Sequence, residues 1–207
     1  MNPLFLSALV TFFVVIDPPG CAPIFASLTS GTPTAHRRTM AIRSTLIATG
    51  ILLFFALLGK QLLGAMGISL DAFRIAGGIM LFLIALDMVF EKRTERRENR
   101  AEDVKAHPEH EDISVFPMAI PMIAGPGSIA SVMLMMARAN GTTEVLTVLG
   151  ALAIVLLATL LGLLAAGPLM TLLGYRVEAM ITRLLGVVLA ALAAQFVVDG
   201  IKASFSL

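Results

Sequence analysis

A chain of 207 residues that is 57% hydrophobic and 14% charged, with a mean hydropathy of +0.91, carries more apolar surface than a soluble fold can hide. Lys and Arg total 15 against 14 Asp and Glu, so the net charge of +1 gives no electrostatic reason to expect nucleic acid as a partner. A single cysteine, Cys21, excludes an internal disulfide and a cysteine-based zinc site.

The partner that this composition demands is the lipid bilayer, and six segments approach the roughly 20 apolar residues that cross its core. The first is 3–29. No positive charge precedes it, and Pro18-Pro19-Gly20 before Cys21 departs from a lipoprotein cleavage pattern, so it reads as a span of the mature chain rather than a signal peptide. Within it lies Asp17-Pro18-Pro19-Gly20. Proline removes a backbone donor and clashes with the preceding turn, and glycine tolerates the conformations of a break. At about 1.5 Å per residue the break falls roughly 20 Å into a core about 30 Å thick, where irregular backbone must face protein or water.

Spans two and three are expected at 44–66 and 72–90, the latter headed by Arg74. Residues 91–112 then carry six basic side chains (Lys92, Arg93, Arg96, Arg97, Arg100, Lys105) and eight acidic ones, and read as a solvated connection. His107, Glu109, His110, Glu111 and Asp112 are metal-ligand types, but Pro108 prevents their presentation on one helix face, so no metal site is expected there. Span four, 113–137, contains a second break at Ala124-Gly125-Pro126-Gly127-Ser128. Span five, 145–173, has no charge, and span six, 177–201, is headed by Arg183 and carries small residues at Gly186, Ala190 and Ala194 that let another helix approach closely. The runs are continuous rather than alternating, which makes the fold class all-α.

Landmarks recur in order along the chain. Pro19-Gly20 matches Pro126-Gly127, Leu62-Leu63-Gly64 matches Leu172-Leu173-Gly174, and Arg74-x-x-Gly77 matches Arg183-x-x-Gly186, at offsets of about 107 to 110. This divides the chain into a three-helix repeat over 1–90, a charged cytoplasmic loop over 91–112 and a second three-helix repeat over 113–207. Three is odd, so the second repeat enters the membrane inverted, as in many secondary transporters. Basic residues concentrate on the side holding Arg37, Arg38, Arg43, the charged loop and Arg176, which places both termini outside the cytoplasm. Interfacial anchoring falls to Lys, Arg and Tyr175, since Trp is absent.

Each break starts a new half-helix whose free N–H groups and positive dipole end suit a carboxylate, while free carbonyls before it suit a cation. Inversion brings both breaks toward the midplane. The expected substrate site is therefore Asp17, Pro18, Pro19 and Gly20 with Gly125, Pro126, Gly127 and Ser128. Asp17, a carboxylate inside a span, can cap the second half-helix, bind Na⁺ or carry a proton. Ala124 stands at its matching offset in the second half. Ser128 beside two glycines suggests a nucleophile, but His36, His107 and His110 all fall in connections, so no catalytic role and no enzyme is expected.

These residues resemble the MarC family, which includes SnatA-type neutral amino-acid transporters. The resemblance covers almost the whole chain: residues 17–25 are similar to its D-P-x-G-x-x-P-x-F segment, with Pro19 where leucine is usual. Arg74-Ile75-Ala76-Gly77-Gly78 is similar to its R-I-A-G-G motif, and residues 117–121 and 124–129 to its P-x-A-x-P and A-G-P-G-x-I segments. The resemblance implies six spans, an inverted repeat, a prokaryotic inner-membrane location and cation-coupled transport of small neutral amino acids such as glycine or alanine. Na⁺ or H⁺ would be the coupling ion and no other cofactor is implied. A LysE-like exporter or a passive small-solute channel is the alternative, and homo-oligomerisation stays open.

Overall fold

The computed structural model describes residues 2–92, 95–99, 102 and 112–205, without the side chains of 168–179. All regular structure among the described residues is helical, with five helices long and apolar enough to cross a membrane, or six spans when a bent pair is taken as one. Leu46, Phe54, Leu57, Leu83, Leu157 and Leu184 are exposed apolar side chains on these helices, as lipid contact requires.

Helix α1 (Pro3–Ile16) opens with Pro3 at its first position and the Asn2 side chain accepting the Leu4 N–H at 3.0 Å. It stops at Asp17 because Pro18 follows, and a residue before proline is driven out of the right-handed helical region. Asp17 takes a left-handed conformation, φ 60° and ψ 66°, which aspartate tolerates better than most residues. Its N–H still donates to Phe13 and its carbonyl accepts from Cys21, both at 3.0 Å, so the backbone steps rather than unwinds into α2 (Pro18–Leu28).

Helix α3 (Thr34–Ala65) spans 32 residues, about 48 Å by its rise, and so extends beyond a bilayer core at the end that carries Arg37, Arg38 and Arg43. Gly67 ends it at φ 72°: the Gly67 N–H bonds the Gly64 carbonyl and the Ile68 N–H bonds the Leu63 carbonyl, a Schellman closure. Ser69 then caps α4 (Leu70–Val89) by accepting the Ala72 N–H at 3.1 Å.

The fourth span is irregular over Ser114–Ile123, where Phe116 and Ile120 are extended (φ −127° and −123°), each immediately before a proline, Pro117 and Pro121. Helix α5 (Pro126–Arg138) follows at a 51° bend. Then come α6 (Gly141–Leu164) and α7 (Ala166–Ser204).

The sequence-based boundary between spans five and six does not hold. The turn falls at Ala165, and α7 runs on through residues 174–176, where a connection is expected. The physical reason is that Pro168 stands in the first turn of α7, where a missing N–H loses no helical bond. At 39 residues α7 is far longer than a bilayer core, and its apolar stretch is Met180–Ser204.

Helix α4 packs along α7 in antiparallel fashion, with Gly78 facing Ala193 and Val197, Gly186 facing Ala85 and Met88, and Gly200 facing Asp71 and Arg74. A Cβ on Gly78 would lie 2.9 Å from the Ala193 carbonyl oxygen, so only glycine allows this approach. Helices α1 and α2 pack on α6, and the irregular segment and α5 pack on α3.

Candidate functional site

Asp17 ends α1 and heads α2, and the fold buries it almost completely, at 1% exposure. Its Oδ1 accepts the Gly20 N–H at 3.1 Å, capping α2, and its Oδ2 accepts from Arg97 Nη1 at 2.8 Å. Arg97 comes from the charged connection, where residues 95–99 are helical, and its side chain is only 9% exposed. Two charges taken out of water hold together only when paired, and removal of either leaves the other buried at a cost of about 3–5 kcal/mol. Gly20 leaves room for the pair: a Cβ there would overlap Asp17 Oδ2 and come within 2.8 Å of Arg97 Nη1.

Beside this pair lies a cavity of about 270 Å³. Gly125, Pro126, Gly127 and Ser128, the start of α5, form one wall, with Pro121 and Met122 from the irregular segment. Val15 and Ile84 supply apolar surface, and Asp87, Arg96 and Arg97 the charged side. Gly125, the N-cap residue of α5, has no side chain to cap it, so among the described residues the first-turn N–H groups and positive dipole end of α5 stand at this wall of the cavity. Asp87, in the last turn of α4, accepts from Arg96 Nη2 at 2.6 Å; its side chain is 20% exposed and that of Arg96 65%.

Of the eight residues expected at the site, Gly125, Pro126, Gly127 and Ser128 line the cavity, while Asp17 stands one bond beyond its wall through Arg97. Pro18, Pro19 and Gly20 form the first turn of α2 next to Asp17. A sodium ion at Asp17 would compete in this conformation with a guanidinium already on Oδ2. Pro18 and Pro126 both occupy the first position of their helices, so Asp17 and Gly125 hold the same cap position in α2 and α5.

Sequence reasoning missed Arg97 and Arg96, because a loop rich in both charges reads as solvated, and it missed Asp87, a second carboxylate near the end of an apolar span. The available signal was Asp17 itself: a carboxylate inside a span needs a cation, and the first span contains none. Arg74 and Arg183 lie away from it: Arg74 bonds Asp71 at 3.0 Å and the Ala137 carbonyl at 3.4 Å, and Arg183 pairs with Glu91. His107, Glu109, His110 and Glu111 lie outside the described residues, among which no three His, Cys, Asp or Glu side chains gather as a metal site.

Residues 2–205 match the family described as MarC family integral membrane protein. A UPF0056 membrane protein of Methanocaldococcus jannaschii is 39% identical over 198 residues, 96% of each chain. The UPF0056 membrane protein YhcE of Escherichia coli is 34% identical over 203 residues, 98% of this chain and 94% of its own, and a relative from Aquifex aeolicus is 31% identical over 199 residues. No solved structure matches the chain.

Proposed function

The chain belongs to the MarC family of integral membrane proteins, and from that premise we propose that it is a secondary transporter of small neutral amino acids such as glycine or alanine. It works in a prokaryotic inner membrane, is driven by a Na⁺ or H⁺ gradient and binds its substrate where spans one and four are broken. The single observation that carries this reading is the cavity at the start of α5. It brings an uncapped helix N-terminus together with ionised side chains, inside a bundle whose outer surface is apolar. Intramembrane charge and interrupted helices at one place mark a solute path more often than a packing defect.

An inverted repeat is supported by how the helices pair. The interrupted span of each half packs on the middle helix of the other half: α1 and α2 on α6, the irregular segment and α5 on α3. The third helices, α4 and α7, pack on each other in antiparallel fashion through Gly78 and Gly186. Exchanging the halves leaves this pattern unchanged, which is what a pseudo-twofold axis in the membrane plane requires.

The test is uptake of labelled glycine and alanine into proteoliposomes with an imposed Na⁺ or H⁺ gradient. A carrier saturates, responds to the gradient and is accelerated by counter-substrate. Flux that rises linearly with concentration and ignores both gradients would instead identify a channel, and net efflux alone an exporter.

A further inference from the structure

The cavity wall carries two ion pairs of unequal character. Arg97 and Asp17 are 9% and 2% exposed, so that pair is locked and Arg97 is a fixed positive group at the wall. Asp87 is mostly covered at 20%, whereas its partner Arg96 is 65% exposed. An exposed arginine holds its carboxylate weakly and can be displaced by another cation. The cavity therefore offers one permanent positive pole and one negative pole whose present partner is replaceable.

We propose that Arg97 and Asp87 recognise the two ends of a zwitterion, Arg97 taking the ligand carboxylate and Asp87 taking the ligand ammonium in place of Arg96. This deepens the transporter reading and rests on it. It names the feature that selects an amino acid over an amine or an acid, and it assigns recognition to the charged connection and the end of α4 rather than to Asp17. A zwitterion adds no net charge, so the locked pair keeps its balance when the site fills. A lone carboxylate or a lone amine satisfies one pole and leaves the other without a ligand group. The apolar surfaces of Val15 and Ile84 beside the poles suit a short aliphatic side chain.

The experiment is calorimetric binding to purified wild-type protein of glycine and alanine, of acetate and propionate, which lack the ammonium, and of methylamine and ethylamine, which lack the carboxylate. Wild type should bind the amino acids at least about tenfold more tightly than either truncated set. Asp87→Asn should cost the amino acids about tenfold while leaving acetate unchanged. Arg97→Lys keeps a charge on Asp17 but loses the planar fork, and should weaken amino acids and acetate together without affecting methylamine. Should Arg97→Lys not fold, the double change Asp17→Asn with Arg97→Gln removes both buried charges at once and carries the same expectation. Amino-acid binding that either variant leaves intact, or that falls in parallel for all three ligand sets, overturns the assignment of poles but spares the transporter reading. Wild-type protein that binds neither glycine nor alanine overturns both.

Discussion

At Asp17 a single side chain caps a helix and neutralises a buried arginine, and substitutions can separate those tasks. Asp17→Asn retains an oxygen for the Gly20 N–H but removes the carboxylate charge that Arg97 bonds, and is expected to lose stability, by up to about 3–5 kcal/mol. The check is the thermal midpoint in detergent, where adding Arg97→Gln to Asp17→Asn should restore most of the loss; no restoration would mean the two charges are not coupled. A second carboxylate lies before span four. The Ser114 hydroxyl holds Asp112 below the ordinary carboxylate range; burial, the next largest effect, opposes it, and the Ser114 N–H, Arg43 and His36 add to the lowering. A folded value below the unfolded one stabilises the protein fully above the unfolded value, near 4, and the benefit disappears as pH falls through the folded value. Ser114→Ala should therefore lower the melting temperature at pH 7, modestly because Asp112 is partly exposed, and the gap from wild type should close as melts are repeated toward pH 3.

At the scale of elements, the two places where proline and glycine stand inside an apolar run are helix boundaries, at Pro18 and Pro126. The extent of the second was not legible in the sequence. Pro117 and Pro121 were recognised as part of a motif but not read as two successive pre-proline extensions at Phe116 and Ile120, which make the ten residues before the five-residue break at 124–128 irregular as well. The α6 to α7 turn was missed although it had a signal: Gly174 and Arg176 look like a connection but a helix tolerates both, while Gly167-Pro168 just after Ala165 marks a helix start and was absorbed into the apolar run. The glycines of the second interruption differ in what surrounds them. A Cβ on Gly125 would collide with the Pro121 carbonyl oxygen, fixed backbone, whereas one on Gly127 would meet the terminal methyl of Ile84, which can rotate away. Gly125→Ala should accordingly destabilise the protein by about 1–3 kcal/mol, as overpacking does, and Gly127→Ala should cost clearly less. Thermal midpoints of the two variants, measured side by side, decide it, and equal losses would mean the irregular segment yields as easily as a side chain.

For the whole molecule, membrane class and helical character followed from composition and run length alone, because a bilayer leaves a chain few other options. The charged side of the cavity did not, because Arg96 and Arg97 reach it from a connection whose composition signals water, and only tertiary packing brings them to Asp87 and Asp17. The orientation expected from charge bias and span number can be tested directly. Positive-inside bias is expected to put Arg38 and the charged connection in the cytoplasm, and six spans would put residue 2 and residue 202 on the opposite face. Asn2, Arg38, Glu98 and Lys202 are all exposed, and Cys21, the chain's only cysteine, is fully buried with its Sγ 3.5 Å from the Ile16 carbonyl. Cysteines introduced singly at these four positions therefore report against a low native background, since a buried thiol reacts slowly. On intact cells a membrane-impermeant maleimide should modify Asn2→Cys and Lys202→Cys, and should reach Arg38→Cys and Glu98→Cys only after permeabilisation. Modification of Glu98→Cys from outside would reverse the topology, and with it the face to which the Arg97 and Asp87 poles open. Modification of Asn2→Cys and Lys202→Cys from opposite faces would mean an odd number of spans, and the inverted pairing of α4 with α7 could not then arise from two equivalent halves.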